Sequence, residues 1–382
     1  MLKPILIIGL LVSSLSEQPN LNEKNPKQFQ ESIREILSSS ALSGSTTGLI
    51  IKKQGDNQPL FAQNIDLLLV PASTIKVFTS SLALDVLGPD HRFVTELRGK
   101  LSEDKTSIAG NLCVKGYGDP WLIPERLWYL TQRLKATGAR QITGDLIVDT
   151  SYFDGPQDAN GVEQDDSSSA YMAPAGAISV GFNVVQIHIR PNPTPNKPAI
   201  IYTEPASDHL VIDGEIKTTS NGSSNYDAEI ESQNGKSVLK ISGVISQNDE
   251  PRRIWRRITG PGQHAGSVLE KLLSQTGIPI SGKVALGQCA EEAELVAEMK
   301  SPRLADLISK VNKYSNNFMA SQLARAVGAH IYGAPGTWQK GQLAMDEFLT
   351  KKVGIQPNSY RIENASGLHD VNRISVGLLL GV

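Results

Sequence analysis

The sequence predicts a mixed α/β (α+β) fold in which helical segments at both ends enclose a long strand-rich insert. Apolar residues recur at helical spacing near the N-terminus, after Ser73, and again beyond residue 300. From about Val184 to Arg257 that signal vanishes, and short alternating runs separated by Asn, Gly and Pro replace it. With 33 Gly and 21 Pro in 382 residues, the chain also has the turn residues that many short strands need.

Composition narrows the class further. Hydrophobic residues make up 40% and charged residues 20%, so the chain can bury a core. Its length is enough for roughly two or three domains. A net charge of −2 gives no reason to expect a nucleic-acid partner. The six His are scattered with no HExxH, and no CxxC occurs, so neither a metal nor a cofactor is implied.

The N-terminus has the layout of an export signal. Lys3 precedes the apolar run Ile5–Val12, and Ser14 and Ser16 stand at the −3 and −1 positions of a cleavage after Ser16. The run is too short to span a bilayer, and no Cys follows it to carry a lipid anchor. An exported chain, periplasmic or otherwise extracytoplasmic, with residues 1–16 removed and no transmembrane anchor, is the expectation. Cys113 and Cys289 could pair in that compartment. Spacing does not decide it, and the apolar runs around them favour two buried small hydrophobes.

After a polar linker, "PKQFQESIREILSSSAL" places Phe29, Ile33, Ile36 and Leu37 at helical spacing. "TTGLIIKKQGDNQPLFAQN" reads as a hairpin around its "QGDNQ" turn. Ser73 to Leu87 reads as a helix closed by Gly88-Pro89. "AGNLCVKGYG" and "ITGDLIVDTSYF" follow as strands, and "PERLWYLTQRLKATG" and "GSVLEKLLSQTG" as helices. Nested among them, "VQIHIRP", "AIIYTEP", "LVIDGEI", "AEIESQ" and "SVLKISGVIS" read as an all-β module. Helices return in "RLADLISKVNKYSNNFMASQLARAVGAHI" and "WQKGQLAMDEFLTKKVG".

Elementary geometry separates the Ser-x-x-Lys match at Ser73 from the one at Ser237. Ser237 and Lys240 lie in an alternating strand, where positions i and i+3 point to opposite faces. Ser73 and Lys76 lie where a helix opens, so the two share a face one turn apart. A serine hydroxyl needs a base to become nucleophilic, and a lysine whose pKa is lowered can be that base. The alternative is an N-capping serine beside a solvated lysine. Later in the chain, Ser315-Asn316-Asn317 offers a hydroxyl and an amide at the start of a helical run. Such a pair can relay a proton to a leaving amine and hold a peptide, or simply cap the helix.

With both motifs in view, the chain resembles the penicillin-binding serine D-alanyl-D-alanine carboxypeptidase/endopeptidase family that carries a large insert between SxxK and SxN. "VPASTIKVFTS", "CVKGYGDPWL", "ITGDLIVDTSYFDG", "SSAYMAPAGAISVGFNVVQI", "TGIPISGKVALG" and "NASGLHDVNRIS" resemble successive family segments, over nearly all of residues 27–380. The long gap from Ser73 to Ser315 is unlike compact β-lactamases. The resemblance implies a transpeptidase-like core from 27–90 and 297–382, an insert domain from 91–183 and 258–296, and a nested all-β domain at 184–257.

It also implies roles. Ser73 would attack and form an acyl-enzyme, Lys76 would be its base, Ser315 would relay a proton, and Asn317 would hold the substrate amide. The substrates would be peptidoglycan stem peptides ending in D-Ala-D-Ala, with β-lactams as covalent inhibitors. Asp149 and Phe153, at a strand end, are candidates for a subsite that takes the stem peptide's diamino acid. Relatives carry a third motif, KTG, whose strand binds the substrate carboxylate. No KTG, KSG or HTG occurs before the sequence ends at Val382, so a core without its C-terminal strands, and impaired activity, are expected on the resemblance. A non-catalytic wall-binding relative and, more remotely, a β-lactamase are the alternative readings.

Overall fold

The computed structural model describes residues 26–53, 55–158 and 168–381. The expected signal segment, residues 1–16, lies outside them. Helix α1 (Pro26–Leu37) leads into an antiparallel hairpin of β1 (Leu49–Ile51) and β2 (Phe61–Gln63). A 3-10 turn, Ala72–Ile75, then feeds α2 (Lys76–Leu87). Gly88 ends that helix at φ 82, a left-handed conformation that glycine adopts without penalty.

Strands β3 (Val94–Gly99) and β4 (Leu112–Gly116), helix α3 (Pro124–Ala136) and β5 (Leu146–Asp149) follow. The chain next builds the all-strand stretch β6 (Val184–Arg190), β7 (Ile200–Glu204), β8 (Leu210–Gly214), β9 (Lys217–Thr219), β10 (Asn225–Gln233), β11 (Lys236–Ser246) and β12 (Arg252–Arg257). Helix α4 (Pro261–Gln275), β13 (Val284–Leu286) and β14 (Glu294–Lys300) return it to the previous sheet. Helices α5 (Leu304–Tyr314), α6 (Asn317–Tyr332), α7 (Trp338–Glu347) and α8 (Val376–Leu379) complete it, with a π-helical turn at Phe348–Val353.

Three apolar clusters organise the described residues. The first joins the two ends of the sequence, packing Ile75, Phe78 and Leu82 of the α2 region against Val311, Phe318 and Leu323 of α5 and α6. Helix α6 is buried almost all round from Phe318 to Ala329, and its small residues permit close packing. A Cβ on Gly328 would come within 2.7 Å of the Gly341 backbone, so α6 and α7 cross where neither has a side chain. The second cluster lies under the five-stranded sheet β13-β5-β4-β3-β14, covered by α3 and α4 through Leu127, Leu130, Leu269 and Leu273. The third lies between two sheets, β12-β6-β7 and β10-β11-β8 with β9 alongside β11. Strand β14 crosses the 296/297 boundary suggested above, because its ladder with β3 continues to Lys300↔Val94.

The cysteines depart from expectation. Cys113 and Cys289 form a disulfide, with Cα atoms 5.5 Å apart across a sequence separation of 176. After β13 the chain turns over the ends of the neighbouring strands: Gly287 N donates to Val148 O, and Cys289 N to Asp149 Oδ2. That turn brings Cys289 onto β4. A contact made through sheet order and a loop is invisible in local spacing. Replacing both cysteines by Ala is expected to cost about 2–4 kcal/mol of stability, read as a lower urea midpoint that reducing agent reproduces in the unmodified protein.

Candidate active site

The residue before Ser73 already bends the chain. Ala72 has φ 46, in the left-handed region that a Cβ disfavours by about 1–2 kcal/mol. The carbonyl of Ala72 sits against the backbone of Gly367, where a Cβ would fall 1.8 Å from that oxygen. Gly367 has φ 76, so both the space and the conformation there call for glycine. This contact sets the start of the α2 segment. It leaves Ser73 exposed and places Lys76, one turn on, at 2% exposure.

Lys76 Nζ lies 3.0 Å from Ser73 Oγ, 2.7 Å from Asn317 Oδ1 and 2.6 Å from the Ser366 carbonyl. Burial lowers its pKa from 10.5 to about 8. None of the three partners is a carboxylate, so nothing in direct contact offsets the desolvation with an opposite charge. The hydrogen-bond inventory then assigns the atoms. A neutral amine has two N–H donors and one lone pair. Asn317 Oδ1 and the Ser366 carbonyl only accept, and so take both N–H groups. The lone pair is left facing the Ser73 hydroxyl. The arrangement can therefore draw a proton from Ser73 Oγ.

Asn317 is oriented from both sides. It opens α6, and its Nδ2 donates to the Tyr171 carbonyl at 3.0 Å while its Oδ1 accepts from Lys76. The helix cap itself is Asn316, whose Oδ1 accepts from Met319 N at 2.9 Å. Ser315 closes α5 at φ 53 and ψ 41, an αL link that lets a second helix begin at once. It is exposed, two positions from Asn317, and is not one of the three partners of Lys76.

The loop that supplies the Ser366 carbonyl was matched above only as a family segment, without a role. Asn364 Oδ1 accepts from Gly367 N at 2.7 Å, and its Nδ2 donates to Leu368 O at 2.7 Å. Asn372 braces the loop from the other side, accepting from Glu363 N and donating to Asn364 O. The loop is thereby presented to α2 as two carbonyls: Ala365 O to Thr79 Oγ1 at 2.7 Å, and Ser366 O to Lys76. The paired asparagines signal a turn. A functional main-chain oxygen has no signature in a sequence.

The SxxK match at Ser237 and the subsite candidates lie elsewhere. Ser237, buried on β11, is hydrogen-bonded to Thr259, and Lys240 pairs with Asp213. Asp149 and Phe153, the subsite candidates, are both buried. Asp149 is 1% exposed; its Oδ1 accepts from Ser151 N and Oγ, and its Oδ2 from Lys115 Nζ and Cys289 N. Burial alone would raise its pKa, but the bonds from Ser151, Cys289 and Lys115 together hold it below the usual value. Phe153 is a core residue whose ring fills the space beside Gly118. The alternation that places Asp149 at a strand end does not say which way that end faces. A cavity of about 200 Å³ opens between α2, β3 and α6, lined by His91, Phe93, Glu96, Tyr117, Tyr152 and His330, and neither Ser73 nor Lys76 lines it.

This architecture is that of the penicillin-binding peptidases. The crystal structure of penicillin binding protein 4 from Haemophilus influenzae matches with a TM-score of 0.76 at 28% identity, over 87% of this chain and 73% of that one. Its complex with a β-lactam matches with a TM-score of 0.71, over 88% and 73%. Residues 29–382 match the D-Ala-D-Ala carboxypeptidase 3 (S13) family, and the chain belongs to that family. The D-alanyl-D-alanine carboxypeptidase of Actinomadura sp. is 28% identical over 357 residues, 91% of this chain and 66% of that protein. The D-alanyl-D-alanine carboxypeptidase DacB of Haemophilus influenzae is 28% identical over 342 residues, 89% and 70%. The chain thus spans about two thirds of the length of these curated relatives.

Gly367→Ala tests the backbone contact beneath the site. It is expected to lose at least about 1 kcal/mol of stability and to slow penicillin labelling of Ser73 tenfold or more, because the Ala72 and Ser366 carbonyls must both move. Labelling and thermal unfolding, measured side by side, check the two effects.

Proposed function

We propose that this protein is an exported serine D-Ala-D-Ala carboxypeptidase/endopeptidase that cleaves peptidoglycan stem peptides through an acyl-enzyme on Ser73, and that β-lactams acylate the same residue. The 3.0 Å contact between an exposed Ser73 hydroxyl and the buried amine of Lys76 carries this reading. Ser73 Oγ adds to the carbonyl carbon of the D-Ala-D-Ala bond as its proton passes to Lys76 Nζ. Ser315, beside Asn317, relays that proton to the departing D-Ala nitrogen, and Asn317 Nδ2 holds the substrate peptide. Water then cleaves the ester and restores the serine. The complex of the Haemophilus influenzae relative with a β-lactam supports the inhibitor class. Export is supported by the N-terminal pattern and by the disulfide, a bond favoured outside the reducing cytosol. No helix among the described residues is long and apolar enough to cross a membrane.

A labelled penicillin, followed by peptide mapping, is expected to mark Ser73, and release of D-Ala from a D-Ala-D-Ala pentapeptide is expected to stop in Ser73→Ala. An adduct on Ser237, or one that survives Ser73→Ala, overturns the assignment. Acylation should accelerate as pH rises through about 8, where Lys76 loses its proton.

The same shift has a signed effect on stability. Between about 8 and 10.5 the unfolded chain holds a proton that folded Lys76 has released, so stability rises with pH across that window. Below it the folded state bears the whole desolvation cost. Lys76→Met is expected to abolish acylation and to flatten that rise, as read from urea unfolding at pH 7.5 and 10.

A further inference from the structure

We propose that Arg325 and Gln322 are positioning residues for Asn317, holding the 168–176 segment on α6 so that the Tyr171 carbonyl fixes which end of the Asn317 amide faces Lys76. The inference rests on the acyl-transfer reading of Ser73 and Lys76.

Arg325 is among the largest fully buried side chains of the chain, at 1% exposure. Its guanidinium donates to main-chain oxygens: Ala175 O at 3.4 Å, Asp154 O at 3.1 Å, and Pro156 O. The rings of Trp338 and Phe153 flank it at 4.9 and 5.5 Å, and Trp338 Nε1 also donates to Pro156 O at 2.9 Å. Gln322, fully buried one turn earlier, donates from Nε2 to Gly176 O at 2.9 Å. Among the described residues, Arg325 Nε and Gln322 Oε1 find no hydrogen-bond partner. Burying an arginine and an amide with polar atoms left over is costly where a Leu or Met would fill the same space. What the two side chains supply that an apolar pair would not is a grip on both stretches that flank residues 157–174. Burial lowers the Arg325 pKa only to about 10, so the grip remains cationic at neutral pH.

Two turns back along α6, roughly 12 Å in rise, Asn317 Nδ2 meets the Tyr171 carbonyl on that same segment. A carbonyl can only accept, so it takes the Nδ2–H and leaves Oδ1 toward Lys76. With the amide reversed, Nδ2 would donate to the lysine lone pair and occupy the place that the Ser73 proton must take. An N–H in place of Oδ1 would also disfavour the ammonium. Loss of the grip therefore slows acylation and moves its pH midpoint downward, whereas a purely structural defect would lower the rate without moving the midpoint.

The test is a double-mutant cycle on the full chain, with labelled-penicillin acylation followed from pH 6 to 10 and thermal unfolding measured alongside. Arg325→Met is expected to slow acylation of Ser73 tenfold to a hundredfold and to lower the midpoint. In an Asn317→Ala background the same change is expected to add less than about twofold. Equal losses in both backgrounds, or an unmoved midpoint, overturn the proposal while leaving the acyl-transfer reading intact. Absence of any Ser73 adduct in the unmodified protein removes both. If Arg325→Met does not fold, Gln322→Leu, which nearly conserves volume, enters the same cycle with the same outcomes.

Discussion

Lys76 Nζ sits 2.6 to 3.0 Å from three oxygens, none of them from a carboxylate, and the side chain is all but closed to water. An ammonium is expensive in such a place and a neutral amine is not. The balance brings the pKa to about 8, close enough to neutrality for the group to exchange a proton. Each neighbouring element meets this requirement in its own way. The 3-10 turn Ala72–Ile75 and the start of α2 carry the serine and the lysine, α6 brings an amide oxygen, and the 363–372 loop brings a carbonyl. Removing any one oxygen would change which hydrogen the amine keeps.

Those oxygens are held in place by groups that never reach the site. The loop carbonyl depends on Asn364 and Asn372, which satisfy the turn internally, and on Gly367, which lets the loop approach the Ala72 carbonyl. The amide of Asn317 depends on Tyr171, and the segment bearing Tyr171 depends on Arg325 and Gln322. Left-handed Ala72, a buried lysine and a buried arginine are all locally unfavourable. They persist because the surrounding apolar cluster, from Ile75 and Phe78 to Phe318 and Leu323, over-determines the packing of α2 on α6.

The sheet bearing β3, β4 and β5 has a different character. Its order, β13-β5-β4-β3-β14, pairs β13, β5 and β4 in parallel, with α3 and α4 in the connections, and β4, β3 and β14 antiparallel. Asp149, buried at the end of β5, accepts four hydrogen bonds, from Ser151, Lys115 and Cys289. A carboxylate with every lone pair taken and a lysine with one left over look alike in a sequence. Only the count of partners in three dimensions tells them apart.

Period and propensity by themselves determined most of the elements: the hairpin around "QGDNQ", the helix after Ser73, the strand-only stretch from Val184 to Arg257, and the helices that return beyond residue 300. They also separated the SxxK match at Ser73 from the one at Ser237, because i and i+3 share a face on a helix and oppose each other on a strand. Local periodicity is a property of a few consecutive residues, so the sequence expresses it fully. Tertiary structure decided whatever depends on residues far apart in the chain. It paired Cys113 with Cys289, turned Asp149 inward, and set the Ser366 carbonyl against Lys76 across a separation of 290 residues. Such contacts follow from how helices pack and loops close, and main-chain oxygens, which every residue carries, leave no mark by which a sequence could single one out.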